Sequence, residues 1–154
     1  MTEKSSTFLV THAEDDSAVL KDVRDGQVHT LSTNPGVEPR DAVDATVAPE
    51  PPMEVTWEVV DIDDRRPLSV EESDEPPTTQ EREMAAEQDV GDLARTERAG
   101  IGEIHVLSVP PEETETAASD VLDDEGTLAR AARLGVNRVE VRSEDGVVSV
   151  RYLP

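Results

Sequence analysis

The sequence predicts an α+β protein built from three parts: a small five-stranded β-barrel (residues 1–63), an acidic proline-rich linker (64–83) and an α+β unit (84–154). Three observations carry this expectation. Five short alternating runs, each closed by turn residues, crowd into the first 63 residues, which suits a small closed barrel better than an open sheet. Residues 64–83 hold three prolines, many acids and few hydrophobes, the composition of a solvated connection. The last third reads strand, helix, helix, strand, strand.

The barrel strands are expected at STFLVTH (6–12), SAVLKDV (17–23), QVHTLS (27–32), AVDATVA (42–48) and MEVTWEVVDID (53–63). Asp25-Gly26 between two β-rich runs is a hairpin turn signal. TNPGVEPRD (33–41) is dense in Pro, Gly, Asn and Asp and reads as a loop. In the fifth run Val55, Trp57 and Val59 alternate onto one face, which places Trp57 in the core.

Within the second half, Thr78 with acids in the following turn predicts a helix start in TTQEREMAAEQ (78–88). Residues 89–100 fit either a second short helix or a hairpin arm. GEIHVLSVPP (102–111) is apolar on both faces and reads as a central strand. ETETAASDVL (113–122) and DDEGTLARAARLG (123–135) follow as helices. The second is capped by Asp123 or Asp124, ended by Gly135 and carries an inner stripe of Leu128, Ala131, Ala132 and Leu134. VNRVEVR and VVSVRYL flank a hairpin turn at SEDG (143–146).

The composition constrains the setting more than the function. Hydrophobic residues make up 35% of the chain and aromatic residues 2%, so the core must come from small aliphatics. The net charge of −22 is spread evenly: 13 acids against 4 bases in 1–62, 12 against 5 in 63–102, and 11 against 5 in 103–154. Lys4 and Lys21 are the only lysines. Uniform acidity opposes compaction unless salt screens it, and near 1 M salt the Debye length is about 3 Å. A halophile's cytosol is therefore the expected environment. In that setting charge speaks neither for nor against a nucleic-acid partner.

Cysteine is absent, which excludes disulfides and thiolate metal sites. No apolar run approaches eighteen residues, and the first sixteen hold too short an apolar stretch for a secretory signal, so a cytoplasmic protein is expected. His12, His29 and His105 lie in separate strands without metal-pair spacing. No G-x-S-x-G, G-x-G-x-x-G or P-loop occurs. The expectation is a non-enzymatic protein with no cofactor and no metal.

Two candidate surfaces remain. Single-stranded RNA binding on a barrel needs an aromatic platform and a cationic groove. Phe8 is the aromatic available for stacking, with Lys21, Arg24, His29 and Arg40 as the positive rim. In the C-terminal third, Arg133, Arg138, Arg142 and Arg151 form the best basic stripe, the last three of them on the sheet. They fit either a contact with an acidic partner or a cross-strand ladder of ion pairs with Glu140, the latter being favoured.

The segment GQVHTL…NPGVEPRDAVDATV…VTWEVVDI is similar to small barrels of the OB and TRAM type, in which a PGD-like loop precedes the fourth strand. Here that place reads EPRD, with Arg40 where glycine is expected. Over its whole length the chain resembles an uncharacterised protein family of halophilic archaea, through EPPMEVTWEVV and GTLARAARLGV…VEVRSEDGVVSVRYLP. The first resemblance implies contact with RNA or a ribonucleoprotein; the second implies no known activity. The alternatives are a protein–protein adaptor acting through the C-terminal sheet and, third, an acidic mimic of nucleic acid.

Overall fold

The computed structural model describes residues 3–154. Its contacts form two compact units, one running through Leu68 and including Leu128–Arg133, the other made of Ser69–Thr127 and Leu134–Pro154.

The first unit holds a closed barrel of β1 (Lys4–Glu14), β2 (Ser17–Asp22), β3 (Val28–Leu31), β4 (Asp41–Pro49) and β5 (Trp57–Pro67). Around the barrel the order is β1-β2-β3-β5-β4, and β1 pairs with β4 to close it. Every pairing is antiparallel except β3 with β5, which meet in parallel at Leu31 and Trp57. Extra residues in the ladders supply the curvature that closure needs. The β1–β2 register steps across Thr11, and the β4–β5 register steps across Val60 and Asp63.

Alternation sends Phe8, Val10, Leu20, Leu31, Val43 and Val47 into the barrel, where they are fully buried. Trp57, Val59 and Ile62 pack against them. Leu9 and Ala42 point to the opposite side of the same strands and are buried too. The helix residues Leu128–Arg133 belong to this unit, with Arg133 donating to the Val23 carbonyl at 3.5 Å and Arg66 to the Ala132 carbonyl at 3.4 Å.

The loop before β4 explains the EPRD departure. Asn34 organises the loop: its Oδ1 accepts from Gly36 N and Val37 N, and its Nδ2 donates to the carbonyls of Glu14 and Val37. Arg40 adopts φ +73, the left-handed conformation that glycine takes without cost. Its backbone is fixed from both sides, N donating to Val10 O and O accepting from Leu68 N. The chain thus keeps the glycine-like turn with an arginine in it.

The second unit contains a five-stranded sheet ordered β6-β9-β10-β8-β7. Its strands are β6 (Ser69–Glu72), β7 (Leu93–Glu97), β8 (Glu103–Ser108), β9 (Arg138–Glu144) and β10 (Val147–Leu153). Its helices are α1 (Thr79–Ala86) and α2 (Thr114–Leu122); α3 (Glu125–Leu134) is shared, its Leu128–Arg133 belonging to the first unit. Asp124 caps α3, accepting from Gly126 N and Thr127 Oγ1. Gly102 must be glycine, because a Cβ there would lie 2.1 Å from the Tyr152 carbonyl oxygen. The expected strand–helix–helix–strand–strand order is present from β8 to β10.

Residues 64–83, expected as a linker, are instead structured: they carry the end of β5, all of β6 and the start of α1. β6 pairs in parallel with β9, some seventy residues away, so no local pattern announces it. Residues 89–100 resolve as the hairpin arm β7, antiparallel to β8.

Candidate interaction surfaces

A charged cluster gathers around Lys4 at the start of β1. Lys4 lies on the inner face of β1 with Ser6 and Phe8. Its ammonium is 3.0 Å from Asp22, 2.8 Å from Asp25, 3.0 Å from Gln27 Oε1 and 3.1 Å from His29 Nε2. Burial works against the charge on Lys4, yet hydrogen bonds to Asp25 and Asp22 outweigh it and hold its pKa above the ordinary lysine value. Asp22 is likewise penalised by burial. Hydrogen bonds from Arg24 N, Lys4 and Ser6 nevertheless hold it below the usual carboxylate range.

His29 sits between the edges of two aromatic rings, 5.6 Å from Phe8 and 4.4 Å from Trp57. Lys4 can only donate, so Nε2 accepts and the proton resides on Nδ1, which is buried without a partner. Burial first, then the Lys4 charge, push the His29 pKa below its usual 6.5, against the opposing pull of Asp22 and Asp25. The unfolded chain therefore binds a proton at His29 before the folded one does. Stability should fall as pH drops below about 6.5. Protonation of the many surface carboxylates acts in the opposite direction by relieving repulsion. The expected result is therefore a difference: between pH 7.5 and 5.5, wild-type melting temperature declines relative to that of His29→Leu. Parallel melting curves for the two proteins would disprove a buried neutral histidine.

The expected RNA site does not assemble. Phe8 is fully buried in the barrel core, so it offers no stacking face; its inward register position overrides its promise as an exposed platform. His29 is buried too, committed to Lys4 and the two rings. Lys21 is half-buried, whereas Arg24 and Arg40 are exposed. Lys21 and Arg40 flank β1 on its two sides, through the Lys21–Leu9 pair and the Arg40 N to Val10 O bond. No aromatic ring lies exposed between them among the described residues.

A different feature of the barrel is exposed. Met53 is 75% and Val55 72% accessible on the β4–β5 connection. Val28 is 57% accessible on β3, the strand that meets the start of β5, and Val60 is 50% accessible at the β5 bulge. The connection is an ordered arm: Glu50 N donates to Thr56 O, Glu54 N donates to Glu50 O, and Ser32 bonds Glu50. The sequence pattern had placed Val55 inward with Trp57 and Val59. The strand begins only at Trp57, and Glu54 turns the chain with φ +58, so Val55 faces water. The signal that could have found this arm is the pair Pro51-Pro52 just before Met53, which lack the N–H groups a strand needs there and put off the start of β5.

On the second unit, the arginines are absorbed by the ladder. Arg142 pairs with Glu75 at 2.8 Å and Glu140 at 2.5 Å; Arg151 pairs with Glu81 at 2.9 Å and lies 3.5 Å from Glu140. Arg151 and Glu140 are direct cross-strand neighbours. Glu81 also completes the capping box of α1, accepting from Thr78 N while Thr78 Oγ1 accepts from Glu81 N. Arg138 alone of the three is exposed. A groove of about 580 Å³ on this unit is lined by seven carboxylates, among them Glu72, Asp74, Glu75 and Glu144. It would repel phosphate.

Among the described residues no group of histidines, aspartates and glutamates is placed to hold a metal ion, and no helix is long and apolar enough to cross a membrane. The chain comprises a closed five-stranded barrel and an α+β unit. It belongs to DUF5812, a family of unknown function, whose family model matches residues 4–143. No curated protein and no solved structure matches the chain.

Proposed function

We propose that this chain is a non-enzymatic binding protein of a high-salt cytosol that holds a protein partner on the apolar arm of its barrel. The observation that carries this reading is the exposure of Met53 and Val55 on an ordered connection, with Val28 exposed on the neighbouring strand β3. Two strongly exposed apolar side chains, Met53 and Val55, on one short ordered connection of a chain so poor in hydrophobes support a surface that a partner covers. Even acidity and scarce lysine fit the salt environment.

RNA is the second reading, favoured by one observation. A closed five-stranded barrel is in keeping with the resemblance to OB-type barrels, whose β2–β3 face and β1–β2 and β4–β5 loops bind oligonucleotides. Against it, the β1–β2 turn is only Asp15-Asp16, and the expected platform Phe8 is in the core.

Immobilised in roughly 2 M KCl, where exposed charges are screened, the wild-type chain should retain a protein from extract of its own host. Met53→Glu combined with Val55→Glu should weaken that binding by at least about 100-fold, since each buried apolar side chain contributes roughly 1.5 kcal/mol or more. Retention unchanged by the double substitution would rule the arm out.

A further inference from the structure

We propose that the open edge of the second sheet, strand β7, is the contact through which two copies of this chain pair into a symmetric dimer. The inference concerns a surface other than the barrel arm and does not depend on it.

The first observation is where the apolar exposure lies. Among the described residues, the large hydrophobics exposed on the second unit are Val90, Leu93 and Ile101, at 63%, 47% and 58% accessibility. All three sit on β7 or on the segments immediately flanking it. The opposite edge, β6, bears only Glu71 and Glu72 as exposed strand residues, a single sign of charge that guards it.

The second observation is the direction of the free backbone groups. Ser108 N donates to Asp92 O, and Arg98 N donates to Gly102 O. Antiparallel bonding alternates, so the even-numbered residues of β7 bond to β8. The N–H and C=O groups of Leu93, Arg95 and Glu97 therefore point to the open edge. They are the groups an added strand would use.

The third observation is self-complementarity. A two-fold axis at Arg95 would set Arg95 against itself. A two-fold axis at Thr96 sets each Arg95 opposite the partner's Glu97, twice over, with Thr96 opposite its own copy; Leu93 lies beyond this pairing, because β7 ends at Glu97. This register pairs opposite charges and threonine with threonine, both favourable cross-strand combinations. A two-fold contact requires one patch to complement itself, and Arg95–Glu97 does. The net charge of −22 opposes the approach of two copies in dilute salt, and molar salt removes that barrier while sparing partly buried contact pairs.

The test is the mass of the full chain by sedimentation equilibrium in roughly 2 M KCl. Twice the 16.7 kDa chain mass is expected. Arg95→Pro removes an edge N–H without touching the β7–β8 bonds, so it should give a folded monomer. Arg95→Glu should weaken the dimer by setting glutamate against glutamate, and Arg95→Glu with Glu97→Arg should restore it. Circular dichroism confirms the fold of each variant, and the charge pair decides should Arg95→Pro fail to fold. A wild-type monomer throughout the accessible concentration range overturns the proposal. So does a dimer indifferent to Arg95→Pro or an Arg95→Glu defect that the double exchange does not repair.

Discussion

Phe8→Ala is expected to cost the barrel about 3–5 kcal/mol, the usual range for removing a buried aromatic ring. Phe8 is the sole phenylalanine, is fully buried, and meets the His29 ring edge-on at 5.6 Å. Its neighbours in the core are Val10, Leu20, Leu31, Val43 and Val47, held on opposing strands of a closed barrel. A closed ladder leaves little room to collapse into the gap, so most of the cavity should remain. Single domains are stable by only about 5–15 kcal/mol, so this one change removes a large share of the barrel's stability. Trp57, the one tryptophan, packs against the same core and reports barrel unfolding by its emission. Urea titration followed at Trp57 should show a much lower midpoint for Phe8→Ala and an intermediate one for Phe8→Leu. A midpoint within experimental error of wild type would mean that Phe8 lies outside the core.

Arg151→Met should cost the second unit about 3 kcal/mol, the low end of what is lost when one member of a buried ion pair is removed. The low end applies because the Arg151 side chain keeps 18% of its surface exposed and Arg142 still faces Glu140. The loss arises from Glu81, whose side chain is only 2% exposed and would keep a negative charge without its cation. Removing that charge as well should recover much of the loss. Glu81→Gln retains an oxygen for the Thr78 N–H, so the capping box of α1 survives in the double variant. Far-UV circular dichroism in urea measures both. If Arg151→Met and the double variant unfold together, Glu81 is not the source of the cost.

The parts of the fold that rest on local chemistry were legible in the sequence. Alternation placed the first four barrel strands to within two residues and the fifth four residues too early, Asp25-Gly26 placed a hairpin turn, and Thr78 and the Asp123-Asp124 pair placed helix starts. What escaped depends on pairings between distant residues. β6 exists because Val70 reaches Val139, while β7 is the hairpin arm that was one of two readings of residues 89–100, settled by its pairing with β8. Phe8 illustrates the same point at the level of a site. Its sequence neighbours fit either face of a strand, and only the pairing with Val43 and the closure of the barrel turn it inward. The arginine ladder was legible, because Arg138, Glu140 and Arg142 alternate and Arg151 lies opposite Glu140. The capping glutamate Glu81 that completes the ladder was not, since it arrives from a helix seventy residues away.

The central claim is that the arm around Met53 is where a protein partner sits, and the arm carries its own probe. Methionine occurs at positions 1, 53 and 84 only, and Met84 is half-buried where Met53 is exposed. Replacing methionine by its diazirine analogue and irradiating in extract of the host at roughly 2 M KCl should give a covalent adduct at Met53. The expected adduct resists nuclease, yields to protease and disappears in Met53→Leu. An adduct destroyed by nuclease, or one that persists unchanged in Met53→Leu, would contradict a protein-binding arm.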